Sequence, residues 1–104
     1  MRSEGKRYLA IVQLAGGADR PRSDIALVAE WLRRFAKSEH ELAFRSSDGL
    51  LFGFFLRTAS QRFMRAEFEK SPGTRNGDAL MLVEIGELVD ALGFNQGATW
   101  LQRH

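Results

Sequence analysis

The sequence contains no cysteine, and only two prolines, two histidines and one tyrosine occur among its 104 residues. The lack of cysteine excludes disulfide bonds and thiolate metal sites. The longest apolar run, Leu50 to Leu56, is far shorter than the ~20 residues of a transmembrane helix. No apolar leader core follows the charged start, Met1 to Arg7, so we expect a cytoplasmic protein with no membrane partner. A net charge of +2 permits contact with nucleic acid without requiring it.

The hydrophobic residues, 44% of the chain, repeat with a period that predicts six secondary-structure elements in one order. That order is strand, helix, strand, strand, helix, strand, and it occupies residues 6–87. It is typical of an α+β, ferredoxin-like βαββαβ sandwich, a four-stranded antiparallel sheet with two helices on one face. The length allows one domain, 1–104, in which 6–87 form the core and 88–104 a C-terminal extension.

Local signals place the element boundaries. Ser23 or Asp24 is expected to cap the first helix, and Leu42 and Phe44 are expected to point inward from the second strand. A hairpin turn at 46–49, with Gly49 able to take a positive φ, joins the second and third strands. The predicted strands cover about 7–15, 41–45, 50–57 and 79–85, and the predicted helices cover 24–36 and about 60–70.

The third strand is apolar on both of its faces. Two helices bury only one side of a sheet, so whichever alternating set faces them, the other leaves an apolar surface. That surface predicts an isologous homodimer through the sheet, or an extension that folds back over it. The candidate interface residues are aromatic and lie in the third strand and the extension: Phe52, Phe54, Phe94 and Trp100.

The same strand allows a nucleic-acid interpretation. The run Phe52-Gly53-Phe54-Phe55 resembles the aromatic motif of RNA-recognition modules, whose exposed rings stack on bases. The companion motif of those modules needs an aromatic residue in the first strand, near the position that Ala10 occupies here. Because alanine cannot supply that ring, we favour core and interface roles for the phenylalanines of the third strand.

Arginines cluster around both predicted helices. They are candidates for a path along a nucleic-acid backbone, although thirteen acidic residues are interspersed and favour solvated helix surfaces slightly. The candidates flanking the second helix are Arg57, Arg62, Arg65 and Arg75, and those around the first are Arg20, Arg22, Arg33 and Arg34.

Four segments carry a family resemblance: Tyr8–Leu14, Leu56–Gln61, Asp78–Ile85 and, most specifically, Gly93–Leu101. In these the chain resembles the small SinR-like proteins, ferredoxin-like relatives of the CRISPR-associated adaptation nuclease subunit and of VapD-type toxin ribonucleases. The resemblance implies a homodimer with its sheets packed together. In the nuclease members it also implies an acidic residue near the end of the first strand that binds a divalent metal at the dimer interface.

Gln13 stands at the position of that acidic residue. An amide adds no negative charge and cannot take a proton, so we expect no metal site and no cofactor. Mg²⁺ enters only if Asp19 or Asp24 replaces the missing carboxylate, and an aspartate beside Ser23 is typical of a helix cap. His40 and His104 have no partner at ligand spacing.

The sequence therefore predicts a cytoplasmic, non-catalytic ferredoxin-like homodimer. Two alternatives stay open: a metal-dependent endoribonuclease or nuclease that uses Asp19 or Asp24, and a module that binds nucleic acid without cleaving it.

Overall fold

The computed structural model describes residues 5–36 and 39–86. Its elements follow the predicted order, so the ferredoxin-like α+β fold is confirmed. They are β1 (Lys6–Gln13), α1 (Arg22–Ala36), β2 (His40–Arg45), β3 (Leu51–Thr58), α2 (Gln61–Glu67) and β4 (Ala79–Glu84), with short 3₁₀ turns at Gly17–Asp19 and Phe68–Lys70. The predicted extension, 88–104, lies outside the described residues.

The four strands form one antiparallel sheet in the order β2-β3-β1-β4. β1 is central because it pairs with β3 on one side and β4 on the other, and Ala10 lies opposite Phe54 and Leu82. This register places the even-numbered residues of β1, β3 and β4 on the face that carries the helices.

The core lies between this face and the two helices. Ala10, Val12 and Leu56 of the sheet are fully buried, as are Leu32 of α1 and Met64 of α2. Burying one large apolar side chain stabilises a fold by roughly 1.5–3 kcal/mol, so these contacts hold the helix layer on the sheet. None of the helices in the described part of the chain has the length and apolar character needed to cross a bilayer.

α1 begins two residues earlier than predicted, at Arg22. The expectation that Ser23 or Asp24 caps this helix is wrong, because both lie inside its first turn. The backbone N–H of Asp24 donates to the carbonyl of Pro21, and its carboxylate accepts hydrogen bonds from arginine side chains. The Asp24 carboxylate therefore pairs with arginine side chains and does not cap the helix.

The turn between β2 and β3 matches its prediction. Gly49 has φ of 77°, and its N–H donates to the carbonyl of Ser46 at 3.0 Å. Asp48 accepts from the Ser46 hydroxyl at 2.6 Å and from the N–H of Leu50 at 3.0 Å. The turn is closed by its own side chains.

α2 is shorter than predicted and ends at Glu67, followed by a 3₁₀ turn. Its apolar side consists of Met64 and Phe68, which are buried, whereas Phe63 is 57% exposed. The hydroxyl of Ser71 donates to the carbonyl of Phe68 and closes the turn.

Candidate functional site

The side of the sheet away from the helices presents a continuous apolar surface, which we call the open face. It is made by the odd-numbered residues of β1, β3 and β4, since successive side chains of a strand point to opposite sides. Met81 is 60% exposed, Val83 42% and Leu51 39%. Beside them, Leu9 packs against the buried ring of Phe55. Apolar side chains from three neighbouring strands are thus accessible on one surface.

β2 adds an aromatic ring to the open face. The register between β2 and β3 shifts between Leu42 and Phe44, so that Leu42 lies opposite Phe54 and Phe44 lies opposite Gly53. This irregularity turns Phe44 to the open face, and the prediction that Leu42 and Phe44 both point inward is wrong for Phe44. The residue between them, Ala43, packs against Phe55 on the same face.

Gly53 leaves room for the Phe44 ring. A Cβ atom on Gly53 would lie 2.5 Å from Cε1 and 2.8 Å from Cζ of Phe44, well inside van der Waals contact. The ring therefore occupies the space that a Cβ atom at position 53 would need, which only glycine permits here. The Phe-Gly-Phe run is explained by this packing.

Phe52 and Phe54 lie on the opposite side, beneath the helices. Both are buried, and their rings meet edge-to-face with centroids 6.0 Å apart. Both side chains therefore lie on the helix side of the sheet and not on the open face, and their predicted part in a dimer interface stays a prediction. The other two candidates, Phe94 and Trp100, lie outside the described residues.

Polar groups border the open face at its two ends. Gln13, the last residue of β1, is exposed at one end, between Leu51 and Ala79. At the other end Arg57 makes an ion pair with Glu39 at 3.0 Å. The face therefore has an apolar centre with a polar rim.

Asp19 and Asp24, the two acidic candidates for a metal site, lie in different environments. Asp19 is exposed in the 3₁₀ turn, whereas the side chain of Asp24 is 10% exposed and paired with Arg20 and Arg75 at 2.7 Å each. Across the residues that the structure describes, no three His, Cys, Asp or Glu side chains come together as a metal-binding group.

Arg20 is the centre of a buried polar cluster that the sequence reading missed. Its guanidinium donates to Asp24 Oδ2 through Nε, to Asp78 Oδ1 and the Ala15 carbonyl through Nη1, and to Asp78 Oδ2 and the Gly73 carbonyl through Nη2. All five distances are 2.7 or 2.8 Å. These use the full donor capacity of an arginine.

The carboxylate of Asp78 is equally saturated. Besides Arg20, it accepts from the backbone N–H groups of Ala15 and Arg75, each at 2.8 Å. Burial by itself raises the pKa of Asp78, but these hydrogen bonds, Arg20's foremost, outweigh it and lower the pKa to about 2. The cluster joins the end of β1, the start of α1 and the loop before β4, so its role is to hold these segments together.

The arginines proposed for nucleic acid do not form one surface. Arg57 borders the open face, and Arg75 pairs with Asp24 beside the buried cluster. Of the four candidates flanking the second helix, Arg62 and Arg65 are exposed together on α2. Among the arginines around α1, Arg20 is buried, whereas Arg22 and Arg34 are exposed.

Comparisons with protein-family models, with curated proteins and with solved structures find no match for this chain.

Proposed function

We propose that the chain is a non-catalytic, cytoplasmic ferredoxin-like module that acts as a homodimer through the open face of its sheet. The observation that carries this proposal is the set of exposed apolar side chains on the same face of β3 and β4, Leu51, Met81 and Val83. An exposed apolar centre with a polar rim is the usual anatomy of a protein interface. A two-fold axis through the face would bring each side chain against its own copy or a neighbour.

The area of the face sets the expected strength of the dimer. Four strands spaced ~4.8 Å apart, each of about seven residues at ~3.3 Å per residue, span roughly 450 Å² in projection. A standard interface buries about 800 Å² on each partner, so the sheet alone supports a weak dimer. We propose that the apolar residues after β4, Phe94 and Trp100 among them, supply the remaining area.

Sedimentation velocity across a range of protein concentrations tests this proposal. We expect the wild-type chain to sediment as a dimer at high concentration and to dissociate on dilution. Val83→Lys and Met81→Lys place a charge on the β4 side of the open face, where exposed apolar side chains lie, and should shift the protein to monomer at every concentration. The matched control is Leu27→Lys. The exposed fraction of Leu27, 47%, is similar to the 42% of Val83, but Leu27 belongs to α1 in the helix layer.

A monomeric wild-type chain at all concentrations would refute the dimer. So would Leu27→Lys weakening self-association as much as Val83→Lys, because the contact would then not be the sheet. Circular dichroism of each variant separates loss of the dimer from loss of the fold.

The non-catalytic part of the proposal rests on Gln13 and Asp24. Gln13 has no charge to offer a metal, and both Arg20 and Arg75 pair with Asp24. A gel assay with single- and double-stranded RNA and DNA, with and without Mg²⁺ or Mn²⁺, should show no metal-dependent cleavage. Cleavage lost in Asp19→Asn would overturn this part and establish a nuclease. A mobility shift lost in the double variant Arg62→Gln, Arg65→Gln would instead establish nucleic-acid binding.

A further inference from the structure

A groove separates α1 from the β2–β3 hairpin, on the helix side of the sheet and away from the open face. Its volume is about 230 Å³. We call it the α1–hairpin groove. Its lining combines one stripe of α1 with residues of the hairpin strands, and includes Ile25, Ala29, Arg33, Arg45, Phe52 and Phe54.

The floor of the groove is aromatic. Phe52 and Phe54 meet edge-to-face at its base, and Ile25 contributes to one wall. A cavity of ~150 Å³ lined by apolar side chains holds one benzene ring, so a groove of this size holds a substituted single ring or a fused pair. An edge-to-face aromatic floor favours a flat aromatic guest over a branched aliphatic one.

The charged side chains that line the groove are all positive. Arg33 and Arg45 are its charged lining residues, and no acidic side chain of the described part of the chain lines it. The Arg33 guanidinium carbon lies 5.8 Å from the centre of the Phe54 ring. Within the described ranges, neither arginine has an ion pair or a hydrogen bond from its side chain to another residue.

Two titratable neighbours of the groove have shifted pKa values. His40 lies beside Arg33, and its pKa is lowered first by burial and then by the positive charge of Arg33. Asp48, whose pKa is lowered by hydrogen bonds from Ser46 and the Leu50 N–H, lines the adjoining outer depression together with Arg22 and Arg45. The positive charge of Arg33 and Arg45 therefore favours a negative group in the groove.

We propose that the α1–hairpin groove binds a small aromatic carboxylate, with its ring on Phe52 and Phe54 and its carboxylate held by Arg33 and Arg45. The aromatic floor supplies apolar contact, and the two guanidinium groups supply charge-assisted hydrogen bonds in the planar geometry that a carboxylate matches. The proposal does not depend on the dimer, since the groove and the open face lie on opposite sides of the sheet.

The test is a titration of the ¹⁵N-labelled full chain, followed by amide chemical shifts, with three probes that share one ring and differ in charge. The probes are indole-3-acetate, indole-3-acetamide and tryptamine. We expect indole-3-acetate to bind at least tenfold more tightly than the neutral amide, and tryptamine not to bind. The shifted amides should belong to 25–33 of α1 and to 42–54 of the hairpin.

Variants locate the site. Arg33→Gln and Arg45→Gln should each weaken indole-3-acetate binding about tenfold, near the lower end of what a hydrogen bond to a charged group contributes. Ala29→Leu fills the groove and should abolish binding. Arg34→Gln is the matched control, because Arg34 is next to Arg33 but lies 3.8 Å from Glu30, outside the groove, and its loss should leave affinity unchanged.

Three results would overturn the proposal. They are equal affinity for the three probes, shifts confined to the open face, and no shift at millimolar indole-3-acetate in a folded full-length chain. The absence of a shift would overturn the proposal even if its cause were that residues 87–104 or a second copy already filled the groove. A well-dispersed spectrum of each variant shows that lost binding is not lost folding.

Discussion

The substitution Asp78→Asn tests whether the Arg20 cluster holds the fold together. The side chain of Asp78 is fully buried, and its two oxygens accept four hydrogen bonds, two of them from Arg20. Asparagine is nearly the same size, but it carries no charge and offers one acceptor oxygen in place of two. The change therefore removes an electrostatic partner without opening a cavity.

Two estimates of the cost agree in order of magnitude. The pKa of Asp78 falls from 3.8 to about 2 in the folded state, and each unit corresponds to roughly 1.4 kcal/mol, so ionisation of Asp78 stabilises the fold by about 2 kcal/mol. Breaking a buried ion pair typically costs about 3–5 kcal/mol. Arg20 keeps Asp24 and two carbonyl partners in the variant, which favours the lower value. We expect a loss of about 3 kcal/mol.

Urea unfolding followed by circular dichroism measures this loss at pH 7. Asp19→Asn is the control, because Asp19 is an exposed aspartate of the 3₁₀ turn just ahead of Arg20, and it should change stability by less than about 0.5 kcal/mol. The pH dependence gives a second readout. Since the folded pKa lies below the unfolded one, the contribution of Asp78 is complete above about pH 4 and is lost as pH falls toward about 2.

Wild-type protein should therefore lose about 2 kcal/mol more than Asp78→Asn between pH 4 and pH 2. A loss below about 1 kcal/mol at pH 7, or parallel pH profiles for the two proteins, would show that the cluster does not stabilise the fold as argued.

Three further predictions concern the packing around the sheet. Gly53→Ala should cost about 1 kcal/mol in urea unfolding because the new Cβ displaces the Phe44 ring, and the cost should vanish when Phe44→Ala is added; persistence of the cost would refute the contact. Phe54→Ala should cost about 3–5 kcal/mol, and a loss below about 1 kcal/mol would contradict its place in the core. By proton NMR, His40 should titrate below 6.5, and Arg33→Gln should raise its pKa; an unchanged value would show that Arg33 exerts no field there.

Much of the fold follows from the sequence because its signals are local. The alternation in β1, the helical spacing of Val28 and Leu32, and the turn chemistry of Gly49 each act within a few residues. Their order along the chain restricts the topology to few choices, and the ferredoxin-like sandwich is the one observed. Several element ends differ from the predicted ones by one to three residues, and at the start of α1 the expected cap Asp24 has arginine partners instead.

The candidate sites depended on contacts that local patterns do not encode. β3 is apolar on both faces, so its sequence is compatible with either orientation, and packing against the helices buried Phe52 and Phe54. Leu42 and Phe44 fit a regular strand, yet the register shift beside Gly53 turned Phe44 outward.

By itself, the sequence determined the number, type and order of the elements, since each depends on residues close together in the chain. Only the tertiary structure decided which apolar set became the open face and which charges are structural. Arg20 and Asp78 are 58 residues apart, and their pairing exists only after the end of β1 and the loop before β4 meet. Burial then makes that pair part of the fold, because a charge withdrawn from water is tolerated only beside its partner.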